Sequence, residues 1–422
     1  MGKPGTTGAA EDTAVTGAAT EFEPDVMDLL VETLRHAGKR ELTDVGTDTL
    51  LGQLVLGDSD AGAAIAPGMR KAGSLSGMIS GRAGCGWASD DLAPRTQAGA
   101  DAGAEHAADG AEVDAAWREA RWRVGSGSGG PAAGSSPALP AMSGAMRACL
   151  LLAVGSARAE GTISVRCRHV ARALLDLPDT RAREALLLRQ LDLAAASTAL
   201  DKLDASAPAE TERPESRGVT LLRRAGTLGR SGNVLTRALT SWTSGSTGNG
   251  SPVLFAVSVE AMRQAVRCGR ATVEPVDLLL GILALDRALY VAGRALPAGL
   301  ESANSAPALL RRHGVRQVSL VSAASAASAA PSAADPDPTA GGEGDRVRQS
   351  AAVERVTAKA QLSAAEHRSP TVGTAHLLSA LLDEPETAHE DTGTGGAVTA
   401  LLAADRVDVT ALRAELTLRL SA

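Results

Sequence analysis

Two histidines occupy the same place in two similar stretches of the sequence. His169 and His376 each lie four residues after a valine, within VRCRHVARALL and VGTAHLLSALL. Imidazole binds metals and acts as a base near neutral pH, so paired metal ligands or a catalytic base are one hypothesis. Thr49 and Asp277 hold the same offset in two further copies, and no partner at ligand spacing is nearby. We therefore expect a structural role for both histidines.

Two short motifs approach the patterns of known catalytic loops. The segment 243–250, TSGSTGNG, is similar to the phosphate loop of adenylate-forming enzymes, but Gly250 and Ser251 stand where that loop has proline and lysine. The cation that would meet a phosphate is therefore missing, and we expect a flexible linker. The segment 57–61, GDSDA, approaches the nucleophile elbow of hydrolases around Ser59, but a helix rather than a strand precedes it. We expect a turn at the end of a helix there.

Basic residues cluster near the ends of two helical segments, at 311–313 (RRH) and at 223–224 (RR). They could form small anion sites, but basic side chains at helix C-termini more often complement the helix dipole. The motifs therefore predict no catalytic, cofactor-binding or metal-ligating residue, and no cofactor.

Composition favours a helical protein. Of the 422 residues, 44% are hydrophobic but only 2% are aromatic, so the core must consist of leucine, valine, isoleucine and alanine. Such side chains suit closely packed helices, and we expect an all-α fold.

Charge, cysteines and hydropathy restrict the partners and the compartment. A net charge of −7 and the absence of a long basic run disfavour binding to nucleic acid. The four cysteines contain no CxxC pair, and no segment approaches the roughly 18 apolar residues of a membrane span. Neither a secretory leader nor a membrane partner is predicted, and we expect a cytoplasmic protein.

One sequence motif recurs four times along the chain. It is anchored on Val45, Val165, Val273 and Val372, and each copy places apolar residues at offsets 5, 6, 9 and 10 from its valine. This spacing is one buried face of a short helix. Thr47 and Thr374 are positioned to cap that helix, and Pro275 suits its first turn.

A second helix precedes each anchor valine, and one or two further helical pieces follow. The preceding helices have apolar faces with the members Met27, Leu30, Val31, Leu34; Met146, Cys149, Leu150, Ala153; Val259, Met262, Ala265, Val266; and Val353, Val356, Ala360, Ala364. Asp408 is predicted to cap the last helix of the chain.

These copies define the expected organisation of the chain. Residues 1–24 are a disordered tail, 25–203 form one domain and 252–421 a second, with 204–251 a linker and helical segment between them. The repeats span about 25–75 and 142–203, then 252–321 and 350–421. The segments 76–141 and 322–349 are linkers, with a helix at 111–124 inside the first.

The phrase V-G-T-x-H-L-L-x-A-L-L followed by V-D-x-x-x-L resembles the repeat of the Clp amino-terminal domain. Its matching residues are Val372, Gly373, Thr374, His376, Leu377, Leu378, Leu381 and Leu382, and then Val407, Asp408 and Leu412. In that family two repeats pack pseudo-symmetrically into one helical domain, so the resemblance implies two such domains here. The family's unfoldases carry AAA+ modules, but no GxxxxGK[ST] motif occurs in this sequence.

The resemblance implies a non-catalytic module that binds peptides or proteins. Its partners would be Clp ATPase or protease components, client proteins or peptide-like ligands, and arginine-phosphorylated chains and cyclic peptides are ligands of ClpC-type domains. The chain would act as an adaptor or regulator of a Clp protease, or as a decoy that sequesters ligands. The alternative is a helical hydrolase or transferase that uses one of the near-motifs.

Overall fold

The computed structural model describes most of the chain. The described residues are 17–69, 73–82, 86–89, 91, 103–127, 139–205, 213–228, 251–329, 347–384 and 396–421. They form helices and six two-residue strands, so the all-α fold is confirmed. The loop 243–250 and Cys85 lie outside the described residues.

The chain divides into two compact units. The first unit is Thr20–Pro214, and the second is Glu215–Ala422 together with Met1–Ala19. The first contains α1 (Pro24–Lys39), α2 (Thr47–Leu56), α3 (Asp60–Ile65), α4 (Ser74–Arg82), α5 (Gly103–Gly127), α6 (Gly144–Ala159), α7 (Cys167–Asp176), α8 (Arg181–Leu188) and α9 (Leu193–Ala205). Its strands are β1 (Glu21–Phe22), β2 (Asp44–Val45), β3 (Ala141–Met142) and β4 (Ser164–Val165).

The second unit repeats the alternation of long and short helices. It contains α10 (Arg217–Arg224), α11 (Pro252–Arg267), α12 (Pro275–Val291), α13 (Ala298–Glu301), α14 (Ala306–Arg312), α15 (Gln317–Ala329), α16 (Ala351–Glu366), α17 (Thr374–Leu382), α18 (Ala397–Ala404) and α19 (Val409–Ser421). Its strands are β5 (Thr272–Val273) and β6 (Arg348–Gln349). None of the helices in the described part of either unit combines the length and the apolar character needed to cross a membrane.

The recurring sequence motif forms the central helix of each repeat. In α2, α7, α12 and α17 the apolar residues at the four predicted offsets are all buried, as the spacing predicted. The capping role of Asp408 is also confirmed, since its carboxylate accepts a hydrogen bond from the Ala411 amide at 2.9 Å. Pro275 occupies the first turn of α12, as expected.

The anchor valines are the points where one repeat bonds to the other. Within the first unit, β1 pairs in parallel with β4, and β2 pairs in parallel with β3. The amide of Glu23, just before α1, donates to the Val165 carbonyl at 3.0 Å, and that of Ser143, just before α6, donates to Val45 at 3.0 Å. Each repeat therefore completes the other's strand, in a reciprocal arrangement.

The second unit contains a similar strand pairing. Its strands β5 and β6 pair in parallel, and the Ser350 amide, just before α16, donates to the Val273 carbonyl at 3.1 Å. At the corresponding place beside Val372, the Thr371 hydroxyl donates to the Ser251 hydroxyl at 3.3 Å. Ser251 is in turn the N-cap of α11.

Two boundaries differ from the sequence-based expectations. The tail ends before residue 24, because Phe22 is buried and lies in β1. The predicted helix at 111–124 is longer, and its buried Val113, Ala116 and Ala120 pack in the core of the first unit, so this part of 76–141 is not a plain linker. Burial of these small residues explains why a segment of low hydrophobicity is ordered.

The predicted buried face of α11 is correct for Ala265 and Val266 but not for its other two members. Val259 and Met262 are only half-buried, whereas Glu260 and Gln264 are buried together with Ala261 and Ala265. Hydrophobicity alone selected the apolar residues, but α11 is covered by both α10 and α12, so its inward face includes polar side chains.

Helices α11 and α12 cross closely at Gly281. A Cβ atom at this position would lie 2.7 Å from the Val257 carbonyl oxygen and 2.9 Å from the Ala261 amide nitrogen. Both are backbone atoms, so relief of the clash requires the two helices to separate. The crossing therefore depends on glycine.

We expect Gly281→Ala to lower the free energy of unfolding by about 1–3 kcal/mol, since overpacking shifts the backbone. Gly155→Ala in α6 is the matched control, because a Cβ there meets no atom within 4 Å. The control should raise the free energy of unfolding by up to about 1 kcal/mol through helix propensity. Urea denaturation followed by circular dichroism measures both, and equal effects of the two substitutions would contradict the close crossing.

Candidate functional site

The most elaborate polar centre in the first unit surrounds the carboxylate of Asp91. This side chain is 2% exposed. It accepts hydrogen bonds from the Thr47 amide (Oδ2, 2.7 Å) and the Thr47 hydroxyl (Oδ1, 2.9 Å) at the start of α2. Thr47 is the first residue of α2, so its hydroxyl does not cap the helix as expected; the free amide is capped by Asp91 instead.

Two further helices begin at the same carboxylate. The hydroxyl of Ser143, the N-cap of α6, donates to Asp91 Oδ2 at 3.1 Å, and the amide of Arg181 at the start of α8 donates to Oδ1 at 3.0 Å. The Thr47 hydroxyl also accepts from the Ala182 amide at 3.0 Å. Helix starts carry partial positive charge and free amides, so three of them converging on one point form an anion-binding site. Here the chain fills that site with its own carboxylate.

The segment that carries Asp91 is fixed by a second carboxylate. Glu184 of α8 accepts from the amides of Ala88 and Ser89, both at 2.9 Å, and from the Arg82 guanidinium at 3.1 Å. The backbone of Asp91 lies in the left-handed region, at a φ of 57°. The surrounding bonds therefore hold a conformation that a non-glycine residue seldom adopts.

The carboxylate of Asp48 is also buried and lies near that of Asp91. Asp48 is 3% exposed, and its Oδ1 lies 3.9 Å from Nη1 of Arg181, which also bonds Asp44 Oδ1 at 3.0 Å. Burial raises the pKa of Asp48 to about 6; the Arg181 guanidinium opposes this shift, and the negative charge of Asp91 adds to it. Near neutral pH the carboxylates of Asp48 and Asp44 thus both lie beside the guanidinium of Arg181.

Each histidine accepts a hydrogen bond from the backbone amide that precedes its helix. The Arg166 amide donates to Nδ1 of His169 at 2.9 Å, and the Gly373 amide donates to Nδ1 of His376 at 3.1 Å. Asp277 fills the same slot and accepts from the Glu274 amide at 2.9 Å. In these three repeats the side chain at this offset folds back and accepts a hydrogen bond from the backbone amide that precedes its own helix.

An accepting Nδ1 requires an unprotonated nitrogen, and the surroundings of His376 favour this. Burial lowers the pKa of His376, and the neighbouring His367 lowers it further. At α12, burial raises the pKa of Asp277, while the Arg270 guanidinium opposes the shift through a bond from Nε at 3.1 Å. Three of the four repeats thus fill this position with an acceptor for the preceding amide, a histidine in two and an aspartate in the third.

The starts of α7 and α17 are completed by residues distant in the chain. The Cys167 amide donates to Asp25 Oδ2 at 3.2 Å. The Thr374 amide donates to Asn304 Oδ1 at 3.0 Å, and the Ala375 amide donates to the Ala303 carbonyl at 2.9 Å. Thr374 is the first residue of its helix and does not cap it, so this expectation was wrong for the same reason as at Thr47.

The remaining near-motifs have structural partners. Ser59 is the N-cap of α3, where its hydroxyl accepts from the Gly62 amide at 3.1 Å and donates to the Leu54 carbonyl at 3.3 Å, in agreement with the expected turn. Arg311 pairs with Asp286, Arg312 and His313 pair with Glu415, and Arg223 pairs with Glu215. Among the described residues no group of three or more histidine, cysteine or acidic side chains is arranged to hold a metal ion.

Sequence reasoning missed the centre at Asp91. Of the three donors only Thr47 was predicted as a helix start, while Ser143 and Arg181 were not, and the acceptor is 44, 52 and 90 residues away from them in the chain. No periodic pattern connects those positions. No protein-family model, curated protein or solved structure matches the chain.

We expect the first unit to lose stability as the pH rises through the pKa of Asp48. Because the folded-state pKa is about 6 and the ordinary value is 3.8, its contribution is full below pH 3.8 and is lost as the pH reaches 6. The loss amounts to about 3 kcal/mol. Asp48→Asn should remove this part of the pH dependence of the free energy of unfolding, measured by urea denaturation between pH 4 and 7.

Asp44→Asn is the control for Asp48→Asn, because it removes a more exposed carboxylate from the same guanidinium and keeps Asp48. The decline between pH 4 and 6 should persist in this control. An unchanged decline in Asp48→Asn would contradict the assignment.

Removal of the Ser59 hydroxyl should cost about 1 kcal/mol of stability, as expected for loss of an N-cap. Ser59→Asp retains an acceptor for the Gly62 amide and should stay within about 0.5 kcal/mol of the parent protein. Thermal and urea denaturation of Ser59→Ala and Ser59→Asp test the cap. Equal stability of the alanine variant and the parent would show that the hydroxyl is not a cap.

Proposed function

We propose that the chain is a cytoplasmic, non-catalytic module that binds peptides or proteins and is related to the Clp amino-terminal domain. It acts as an adaptor or regulator of a Clp protease, or as a decoy that sequesters ligands of the unfoldase. The observation that carries the proposal is the reciprocal strand pairing at the anchor valines. Two similar helix–strand–helix repeats packed about a pseudo-twofold axis produce this pattern, and the family's domain is built from such a pair.

The two repeats of the first unit support this relationship residue by residue. Glu23 and Ser143 precede the first helix of each repeat, and both donate to the anchor valine of the other. The second unit pairs Ser350 with Val273 in the same way. Three of the four valines that suggested repeated copies in the sequence therefore accept a backbone hydrogen bond from the start of another repeat.

The filled helix starts bear on how ligands would be recognised. Receptor domains of this family take arginine-phosphorylated chains, and a phosphate favours free amides at helix starts. In this chain Asp91 occupies three such starts and Asp25 occupies that of α7. We therefore assign partner recognition to helix surfaces and not to these starts.

The rival hypothesis of a helical hydrolase or transferase drew on Ser59 and His376. Both side chains form capping hydrogen bonds, which accounts for their positions without a substrate. The binding hypothesis is the one that the pairing geometry supports.

The proposal predicts specific enrichment of partners from a lysate of the protein's own cells. The tagged full chain is cross-linked, purified and analysed by quantitative mass spectrometry, with an unrelated tagged helical protein as the control. Enriched Clp ATPase or peptidase subunits indicate an adaptor or regulator, and enriched client proteins or peptides without those subunits indicate a decoy. Enrichment of neither class over the control would contradict the proposal.

Avidity provides a second measure on any oligomeric partner found in this way. A protease site placed within 206–212, before α10, allows the bound full chain to be cut between Thr20–Pro214 and the unit that begins at Glu215. Cutting should weaken binding at least about tenfold, because the second contact is no longer intramolecular. Unchanged affinity after cutting would show that the units do not bind together.

A further inference from the structure

Helix α10 lies against α11 and α12 as an amphipathic helix lies in a groove. Its Val219 and Leu222 are fully buried in the apolar core of the second unit. On its opposite side Arg217 and Arg224 are exposed to solvent. The helix has only eight residues, and a helix this short has little stability apart from the surface that it covers.

A buried carboxylate on α11 receives the first turn of α10. Glu260 is 1% exposed, and its Oε1 accepts from the Ser216 hydroxyl at 2.6 Å and from the Gly218 amide at 3.2 Å. Ser216 is the N-cap of α10, and its hydroxyl also accepts from the Val219 amide at 3.2 Å. Since negative charge is favoured at a helix start, Glu260 selects the N-terminal end of the bound helix.

The groove restricts the size of the residue that faces Glu260. A Cβ atom on Gly218 would lie 2.8 Å from Glu260 Oε1 and 3.2 Å from Leu285 Cδ1. A side chain at the second helical position of an occupant therefore requires Glu260 and Leu285 to move or the occupant to lift away, and the requirement grows with the size of that side chain. The serine N-cap, the glycine and the two buried apolar residues of α10 together define the sequence pattern Ser-x-Gly-Val-x-x-Leu.

Helix α11 carries a second buried polar side chain near Glu260. Gln264 lies one turn after Glu260 on the same face of α11 and is 0% exposed. Both atoms of its amide lack a hydrogen-bond partner. Buried polar groups are normally bonded, so this amide is an unsatisfied polar group on the helix that receives α10.

We propose that α10 is a tethered occupant of this groove, and that the groove binds an amphipathic helix of a partner protein. The partner helix begins with a hydroxyl N-cap, has glycine two residues later, and places apolar residues at the third and sixth helical positions. Chain connectivity raises the effective concentration of α10, so a partner helix competes with it and does not meet an open groove. The inference rests on the proposed binding function and identifies one surface for it.

The test uses the full chain and a fluorescent peptide of residues 213–228, RPESRGVTLLRRAGTL. Gly218→Leu in the chain should expel α10 and open the groove, whereas Arg217→Leu adds the same side chain at an exposed neighbouring position. Fluorescence anisotropy should show the peptide binding Gly218→Leu at least about tenfold more tightly than the parent or Arg217→Leu. A peptide with Gly218→Leu should bind at least about tenfold more weakly than the parent peptide. Equal peptide binding by all three folded chains would overturn the proposal.

Hydrogen exchange on the unmodified chain provides a test that does not depend on the folding of a variant. The amides of α10 should exchange faster than those of α11, and excess peptide should accelerate exchange in α10 alone. Exchange in α10 as slow as in α11, and insensitive to the peptide, would show that α10 is a fixed part of the core. Because only the purified chain and a synthetic helix are used, failure here is distinguishable from failure to find Clp partners in a lysate.

Discussion

The free amides at the helix starts are the constraint on which much of this structure depends. Every helix leaves its first amides without partners inside the helix, and burial makes each such group costly. In this chain short helices follow one another closely, so many starts are buried. They are satisfied by side chains folded back from the same turn, such as His376, and by residues brought from far along the chain, such as Asp91 and Asn304.

Meeting this constraint with carboxylates shapes the electrostatics of the first unit. Asp91 is well placed because three helix starts surround it, and each contributes partial positive charge. The same burial is unfavourable for Asp48, which has one guanidinium nearby at 3.9 Å and lies close to a carboxylate that is already stabilised. Deprotonation of Asp48 therefore works against the stability of this centre.

Local patterns in the sequence predicted a large part of the fold and little of the polar centre. Apolar spacing located the central helices and their buried faces correctly, because those faces are set by the helical period. It failed at α11, where Glu260 is buried and Val259 is not, because the covering helix comes from a segment without a periodic link to it. The acceptor at Asp91 was equally inaccessible, since the choice among the acidic residues of the chain is made by tertiary packing. The slot of His169 and His376 was recognised as structural, but not as a bond to the amide before the helix.

The reciprocal strands also have a consequence for the order in which the chain assembles. Glu21 pairs with Ser164 and Asp44 pairs with Ala141, so each strand of the first unit waits for a partner made about a hundred or more residues later. During synthesis the first repeat therefore leaves the ribosome with its strand edges and its α2 start uncompleted. The amides of Glu21 and Glu23 cannot meet the carbonyls of Ile163 and Val165 until residue 165 has emerged, so we expect the two repeats to close on each other late.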